Sequence, residues 1–577
     1  MVSSSFCEQC GAVLSGGSSF CSECGAAVAG DTQTGQSSCT GCGTAVGPDD
    51  DFCAECGKAT GQGESISDLG QHMDYSSLNF SLNFLSGGES ELQRAYDDSE
   101  TGVTLSLIKS GRYELGLILT DLSKLREQFG DRYGEFEQIL QQHLVHAAGN
   151  RTMYLLLDVS DNVISSASSP DWKAVVQIMA GADEYLKAPL NREAGRILIL
   201  GDDHIIPMAR FPNYLWMDPD REVESDLIYS TLADADPWLH AHKALVPKKQ
   251  VGRIPLGETF GLTQYAHYLS NLSECQWQPP NVRKVSGISA KVWEMASQTM
   301  YSRMGGGMVV TSPNVSLETV LQAMDADAAI HYFNLHGTDT DAFWYGEENF
   351  KYPRTYSPDA VQQLSSYNAI GVEACYGAKF IGCNMADSIL LMSLSQKTLG
   401  FLGSSKIAFG PAIPPNSLAD VIIGEFLLGV QAGETFGQAL NHARMATVNE
   451  SLADGMLIKT LLSFNLFGDP GERLHDAGGS LGQIDFQELQ VKIPDVLHEV
   501  RKSSLQPDTQ MIDGVRSQMK VGIPEMHQVE PKIQRQYIST WEKEVYSMHY
   551  SSPDYPARMA VAYVDDSGQL LVELITK

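Results

Sequence analysis

A chain of 577 residues is too long for one small module and predicts several domains at roughly 100 to 200 residues each. With 43% hydrophobic and 19% charged residues its composition is globular, which excludes wholesale disorder and the fibrous classes. Forty Lys and Arg against 71 Asp and Glu leave a net charge of −31. That field repels phosphate backbones and anionic lipid, so neither nucleic acid nor a membrane is an expected partner.

The first residues carry neither a basic start nor an apolar run, and no later stretch reaches about 18 uninterrupted apolar residues, so a soluble, cytoplasmic protein is expected. Eight of the 11 cysteines fall before residue 57. Cys7, Cys10, Cys21 and Cys24, then Cys39, Cys42, Cys53 and Cys56, repeat C-x2-C-x10-C-x2-C at a period of 32 residues. Four thiolates per unit, with each close pair on a tight turn, suit a tetrahedral ion. Neither unit has an apolar core, so metal must supply the folding free energy, on the order of 10 kcal/mol per site. The pattern resembles the double zinc ribbon family over residues 5–58 and predicts two structural Zn²⁺ ions, one in a ribbon at 5–30 and one at 37–60. Such ribbons usually serve as interaction modules. Zinc tetrathiolates are anionic, which argues again against DNA.

Residues 61–100 turn to Gly, Ser, Asn, Gln and Asp and read as a linker holding one weak strand at Leu78 to Phe84. An N-terminal α/β subdomain is expected at 101–194, with strands at Thr104 to Ile108, Leu115 to Thr120 and Met153 to Asp158. Helices are expected at Leu122 to Ala148 and Trp172 to Leu186.

Between Ile197 and Gly468 four short apolar runs end in polar or glycine-rich turns, where an open parallel sheet gathers its reactive groups. Ile197 to Leu200 ends at Gly201. Ala329 to Leu335 places His336 and Gly337 at a strand tip, and Ala369 to Glu373 places Cys375 at another, ahead of a helix at Ser388 to Leu399. Gly400 to Ser405 is the fourth. A cysteine and a histidine on two strand tips can act as nucleophile and base, and the side-chain-free Gly337 can point its amide into the site beside that of Cys375 to hold an oxyanion.

His336-Gly337, Trp344, Glu373-Ala374-Cys375-Tyr376-Gly377, Gly403-Ser404-Ser405 and Leu466-Phe467-Gly468-Asp469-Pro470 together resemble the gingipain family of caspase-like cysteine peptidases. Leu200 to Asp203, Ser225 to Tyr229 and Val251 to Pro255 match its pattern in the same order, and the resemblance covers residues 195–475. It implies an α/β caspase-haemoglobinase-like sheet with flanking helices. It implies Cys375 as nucleophile, His336 as general acid and base, and the Gly337 and Cys375 amides as oxyanion hole, with Trp344 and Ser404 among the substrate-binding residues.

The sequence departs from the family at the acid expected near the histidine, where Gly287 to Ala290 is followed by Lys291. Glu294 is the candidate for the family's acidic pocket residue. Glu373 is better placed, two residues before the nucleophile, where legumains and metacaspases also carry an acid, and strand alternation would set it on the same side as Cys375. A basic P1 side chain is therefore expected. Asparagine cleavage of the legumain kind is the rival, in which Lys291 would neutralise Glu373. Cys275, Cys383, Asp202, Asp203 and His204 are expected to be structural.

Residues 480–577 predict a separate α+β appendage, with helical stretches at Val491 to Arg501, Thr509 to Met519 and Pro531 to Met548 and a final hairpin around Asp566-Ser567-Gly568. The expected function is a cytosolic cysteine endopeptidase acting on protein substrates after Lys or Arg, with a regulatory protein bound by the ribbons or the appendage. The alternative is an inactive caspase-fold scaffold organised by its ribbons.

Overall fold

The computed structural model describes residues 5–6, 13–14, 37–38, 45–46, 111, 113–160, 172–190, 192–215, 218–232, 237–238, 244–450, 455–476, 509–519, 528–538, 543–552 and 558–577. The eight ribbon cysteines, the linker and the elements expected at Leu78 to Phe84, Thr104 to Ile108 and Val491 to Arg501 lie outside the described residues. The chain divides into two compact units, Met1–His72 and Met73–Lys577.

In the first unit, β1 (Ser5–Phe6) pairs antiparallel with β2 (Val13–Leu14), and β3 (Ser37–Ser38) pairs with β4 (Ala45–Val46) in the same register 32 residues on. In the sequence one C-x2-C pair falls between the two strands of each hairpin.

The second unit is built on a ten-stranded sheet. Its strands are β5 (Glu114–Thr120), β6 (Thr152–Asp158), β7 (Arg196–Leu200), β8 (Gln250–Ile254), β9 (Val285–Ala290), β10 (Val310–Ser312), β11 (Ile330–Asn334), β12 (Asn368–Val372), β13 (Thr398–Ser404) and, beyond the short β14 (Phe409–Pro411), β15 (Phe464–Phe467). Their order is β10-β9-β11-β12-β13-β15-β8-β7-β5-β6. All neighbours are parallel except β13 and β15, so two parallel halves run in opposite directions and meet there. Near-continuous apolar runs such as Leu115 to Leu119 and Ile197 to Leu200 are buried on both faces, as parallel strands require. The expected boundary at residue 195 therefore cuts through one half-sheet, because β5 and β6 hydrogen-bond into the same sheet as β7 and β8. The helix expected over Leu122 to Ala148 is α1 (Leu122–Phe129) and α2 (Tyr133–Gly149), divided at Gly130, whose φ is +50°.

The C-terminal region is not separate. Strands β16 (Lys532–Ile538), β17 (Lys543–Ser551), β18 (Met559–Val564) and β19 (Leu570–Thr576) form an antiparallel sheet whose last strand pairs with β14 of the peptidase region. The helix expected at Pro531 to Met548 is thus two strands. Val545, Ser547, Met548 and Tyr550 are all buried, so β17 is covered on both faces and its apolar residues lose the alternation that marks a strand. The helix at Thr509–Gln518 and the final hairpin are as expected. Among the described residues no helix is long and apolar enough to cross a membrane.

Candidate active site at the strand tips

Strands β9, β11 and β12 are adjacent and parallel, so their carboxyl ends open at one edge, where parallel sheets place their sites. Cys375 and the pair His336-Gly337 follow the tips of neighbouring strands. A Cβ built on Gly337 would stand 1.9 Å from the Cys375 carbonyl oxygen, so only glycine lets the two tips pack this closely.

His336 is pinned by its backbone, which exchanges two hydrogen bonds with Tyr345 at 2.9 and 2.8 Å. Its Nε2 lies 2.6 Å from Glu347 Oε2, and Tyr352 donates to the other oxygen of Glu347 at 3.1 Å. This carboxylate holds the Nε2 proton and leaves Nδ1, which has no hydrogen-bond partner among the described residues, as the basic nitrogen. The acid beside the histidine is therefore Glu347. Lys291 pairs instead with Glu294 at 2.6 Å on a partly exposed turn, which removes Glu294 from the pocket and Lys291 from Glu373.

Cys375 is buried, and its thiol turns to Ala408, donating to the carbonyl at 3.6 Å and accepting the N–H at 3.4 Å. Burial pushes the thiol up to about 12, so in this arrangement it is a thiol and not a thiolate. The Cys375 N–H donates to the carbonyl oxygen of Lys577 at 3.1 Å. The Gly337 N–H makes no hydrogen bond among the described residues.

The Lys577 side chain enters a closed pocket. Its ammonium lies 2.6 Å from Glu373 Oε2, 2.9 Å from Asp420 Oδ1 and 3.1 Å from Asn334 Oδ1, and 4.8 Å from the centre of the Trp293 ring. Three acceptors meet the three donors of an ammonium, and the aromatic face closes the fourth side. Asn334 ends β11, Glu373 follows β12, Trp293 lies in the turn after β9, and Asp420 opens the helix Ala419–Gln431. Burial, then the neighbouring charge of Asp420, raises Glu373 to about 8 despite Lys577. Burial alone would lower Lys577, but Asp420 and Glu373 outweigh it and raise it. Trp293 also packs on His336, with ring centres 4.4 Å apart, so one side chain walls both the pocket and the position of His336. Gly410 completes the pocket, since a Cβ there would stand 2.4 Å from Lys577 Cε.

Two expected substrate-binding residues are elsewhere. Trp344 is core, stacked on Tyr356 and tilted against Phe333, where it anchors the hairpin that carries Glu347. Ser404 is fully buried, and its hydroxyl closes a turn on Lys406 through both backbone groups. Glu373 does face the pocket, although β12 ends at Val372 and the alternation argument does not extend to Cys375. Asn334, Trp293, Glu347, Asp420 and Gly410 escaped sequence reading because each comes from a different element and none carries a local pattern.

The pattern of peptidase family C25 matches residues 163–475, more than half of the chain, and the double zinc ribbon matches residues 7–57. The chain belongs to peptidase family C25 and is a cysteine peptidase with an N-terminal double zinc ribbon, which implies zinc binding. No curated protein matches it. Among solved structures it is similar to the Arg-specific cysteine proteinase gingipain R, at 12% identity and a TM-score of 0.44 over 81% of this chain and 91% of that one. A structure described as a protease matches at 9% identity and a TM-score of 0.42, over 80% of this chain and 90% of that one. The Saccharomyces cerevisiae separase–securin complex matches at 10% identity and a TM-score of 0.29, over 70% of this chain and 27% of that one.

Proposed function

We propose that this cysteine peptidase is an endopeptidase that cleaves protein chains after a basic residue, lysine above arginine. Cys375 is the nucleophile, His336 the general acid and base, and Glu347 the group that orients the histidine. Glu373, Asp420, Asn334, Trp293 and Gly410 form the P1 pocket. The observation that carries this reading is the placement of one lysine: its ammonium meets three acceptors while its own carbonyl oxygen sits on the N–H of the candidate nucleophile. Three acceptors around a point suit a compact ammonium better than the planar fork of a guanidinium.

On a substrate, the carbonyl oxygen would accept from the Cys375 N–H, and from Gly337 once charge develops. The thiol leaves Ala408, passes its proton to His336 Nδ1, and its sulfur attacks the carbonyl carbon. The C–N bond then breaks, the amine takes the proton from His336, and water hydrolyses the thioester with the histidine again as base. Cytoplasmic action and recruitment of a regulatory protein by the ribbons belong to the same proposal, supported by zinc-type cysteine spacing, which suits a reducing compartment.

A positional-scanning peptide library, run on the wild-type chain and on Lys577→Ala, tests the reading. Cleavage is expected after Lys, more weakly after Arg, and not at all in Cys375→Ala. Cleavage after Asn with none after Lys would eliminate it in favour of the legumain-like rival.

A further inference from the structure

The lysine in the pocket belongs to the chain itself, and its segment makes the other contacts of a bound substrate as well. β19 runs antiparallel to β14, with Leu574 opposite Pro411, Ile575 opposite Gly410 and Thr576 opposite Phe409. One residue further, the Lys577 N–H donates to the Ala408 carbonyl at 3.0 Å, the same carbonyl that holds the Cys375 thiol. The Lys577 carbonyl then lies on the nucleophile's N–H. Strand pairing up to the reacting carbonyl, with alternate side chains in pockets, is how extended peptides are held on sheet edges. The segment leading into β18 also reaches the histidine's neighbour: the Arg558 guanidinium lies 4.0 Å over the Tyr352 ring, which itself packs edge-on against His336.

We infer that residues 574–577 occupy the place of a bound substrate strand within the same chain. They fill the P4 to P1 positions, keep the peptidase latent, and mark its substrate as an extended segment that adds to the Phe409–Pro411 edge and places lysine at P1. The naming of these positions rests on the proposed cleavage after lysine, whereas the closure of the site rests on the contacts alone. A tethered strand competes at an effective concentration of order millimolar, so a micromolar protein substrate gains access only when the C-terminal sheet is drawn away or cut. Leaving is costly for the site too, since the lysine takes with it the only cation among the described residues that neutralises Glu373 and Asp420.

The test measures alkylation of Cys375, read by peptide mass spectrometry, with two reagents: iodoacetamide and an acyloxymethyl ketone bearing lysine at P1. Three forms of the full chain are compared. They are the wild type, Lys577→Ala, and a chain with a foreign protease site in the exposed Asp566–Ser567 turn, cut after folding so that β19 can dissociate. The last form keeps the test open should Lys577→Ala not fold. Iodoacetamide is expected to label the altered forms at least about tenfold faster than the wild type, as release of a tethered competitor requires. Rates that agree within about twofold across all three forms would overturn the inference. Acceleration with iodoacetamide but no labelling by the ketone leaves latency standing and removes lysine specificity. Ketone labelling as fast in the wild type as in the altered forms removes latency and leaves the specificity intact.

Discussion

Two ammonium groups are buried near Cys375, each between two carboxylates, and they differ in what else those carboxylates bind. Lys459 lies between Asp218 and Asp220, where all four oxygens are engaged: the Asp220 N–H reaches Asp218 Oδ1, Tyr376 O–H reaches Asp220 Oδ1, and the Ile407 N–H joins the lysine on Asp220 Oδ2. Lys577 lies between Glu373 and Asp420, where Tyr332 satisfies the second oxygen of Glu373 but Asp420 Oδ2 is buried with no hydrogen-bond partner. A brace saturates its acceptors, because any unmet buried charge costs stability. A recognition pocket keeps acceptor capacity that only an incoming donor uses. The Lys459 cluster is accordingly a brace: it holds the 405–409 loop, and with it the Ala408 backbone that the Cys375 thiol and Lys577 both touch.

The largest expected effect breaks the brace. Lys459→Met leaves two buried carboxylates unpaired and should cost about 3–5 kcal/mol of stability, read by denaturant unfolding. Lys577→Met, the matching change in the pocket, should cost clearly less, because that site can open to water. Equal losses would mean that both lysines are structural.

Asp420→Asn should lower kcat/KM for lysine peptides by roughly a hundredfold or more, as expected for one partner of a buried charge pair, and should also lower the melting temperature, because it breaks the buried pair with Lys577. Glu373→Gln should cost less than Asp420→Asn, since Glu373 already holds its proton up to about 8 and glutamine resembles that form. The order reverses if Glu373 carries the charge. Gly410→Ala intrudes on the lysine stem and on Asp420 Oδ2, 2.9 Å from the added carbon, and should cut lysine turnover by about tenfold.

A pH series sharpens the comparison further. Burial disfavours the Cys375 thiolate and moves the thiol up to about 12, so alkylation of the closed protein should climb about tenfold per pH unit from 6 to 10 without levelling. Once β19 is released, water and His336 reach the sulfur and the curve should level near or below an ordinary thiol value of about 8.5. The smallest effect concerns the ribbons. Elemental analysis should find two zinc ions per chain, and chelation should change lysine-peptide turnover by less than about twofold, because the peptidase unit has its own core.

The sequence alone determined the zinc ribbons, the α/β class, the family, and the strand tips that carry His336 and Cys375. Each is written in contiguous residues: cysteine spacing follows from tetrahedral geometry, and buried parallel strands need unbroken apolar runs. Glu373 was legible as an acid two residues before Cys375 for the same local reason. Glu294, Trp344 and Ser404 were carried over from the family pattern, and the fold places each away from the pocket, in an ion pair with Lys291, in the core and in a turn with Lys406. Trp293 stands beside Glu294, but only the crossover of β9 onto β11 turns its ring to the histidine and the pocket. Asp420 and Asn334 are 86 residues apart and meet only where a helix start docks on a strand end. Lys577 is 204 residues from Glu373 and reaches it because β19 finds an open edge at β14. Local pattern encodes which elements form. The pocket and its occupant arise where elements remote in sequence converge, and burial of charge there is satisfied by partners that no short stretch of sequence contains.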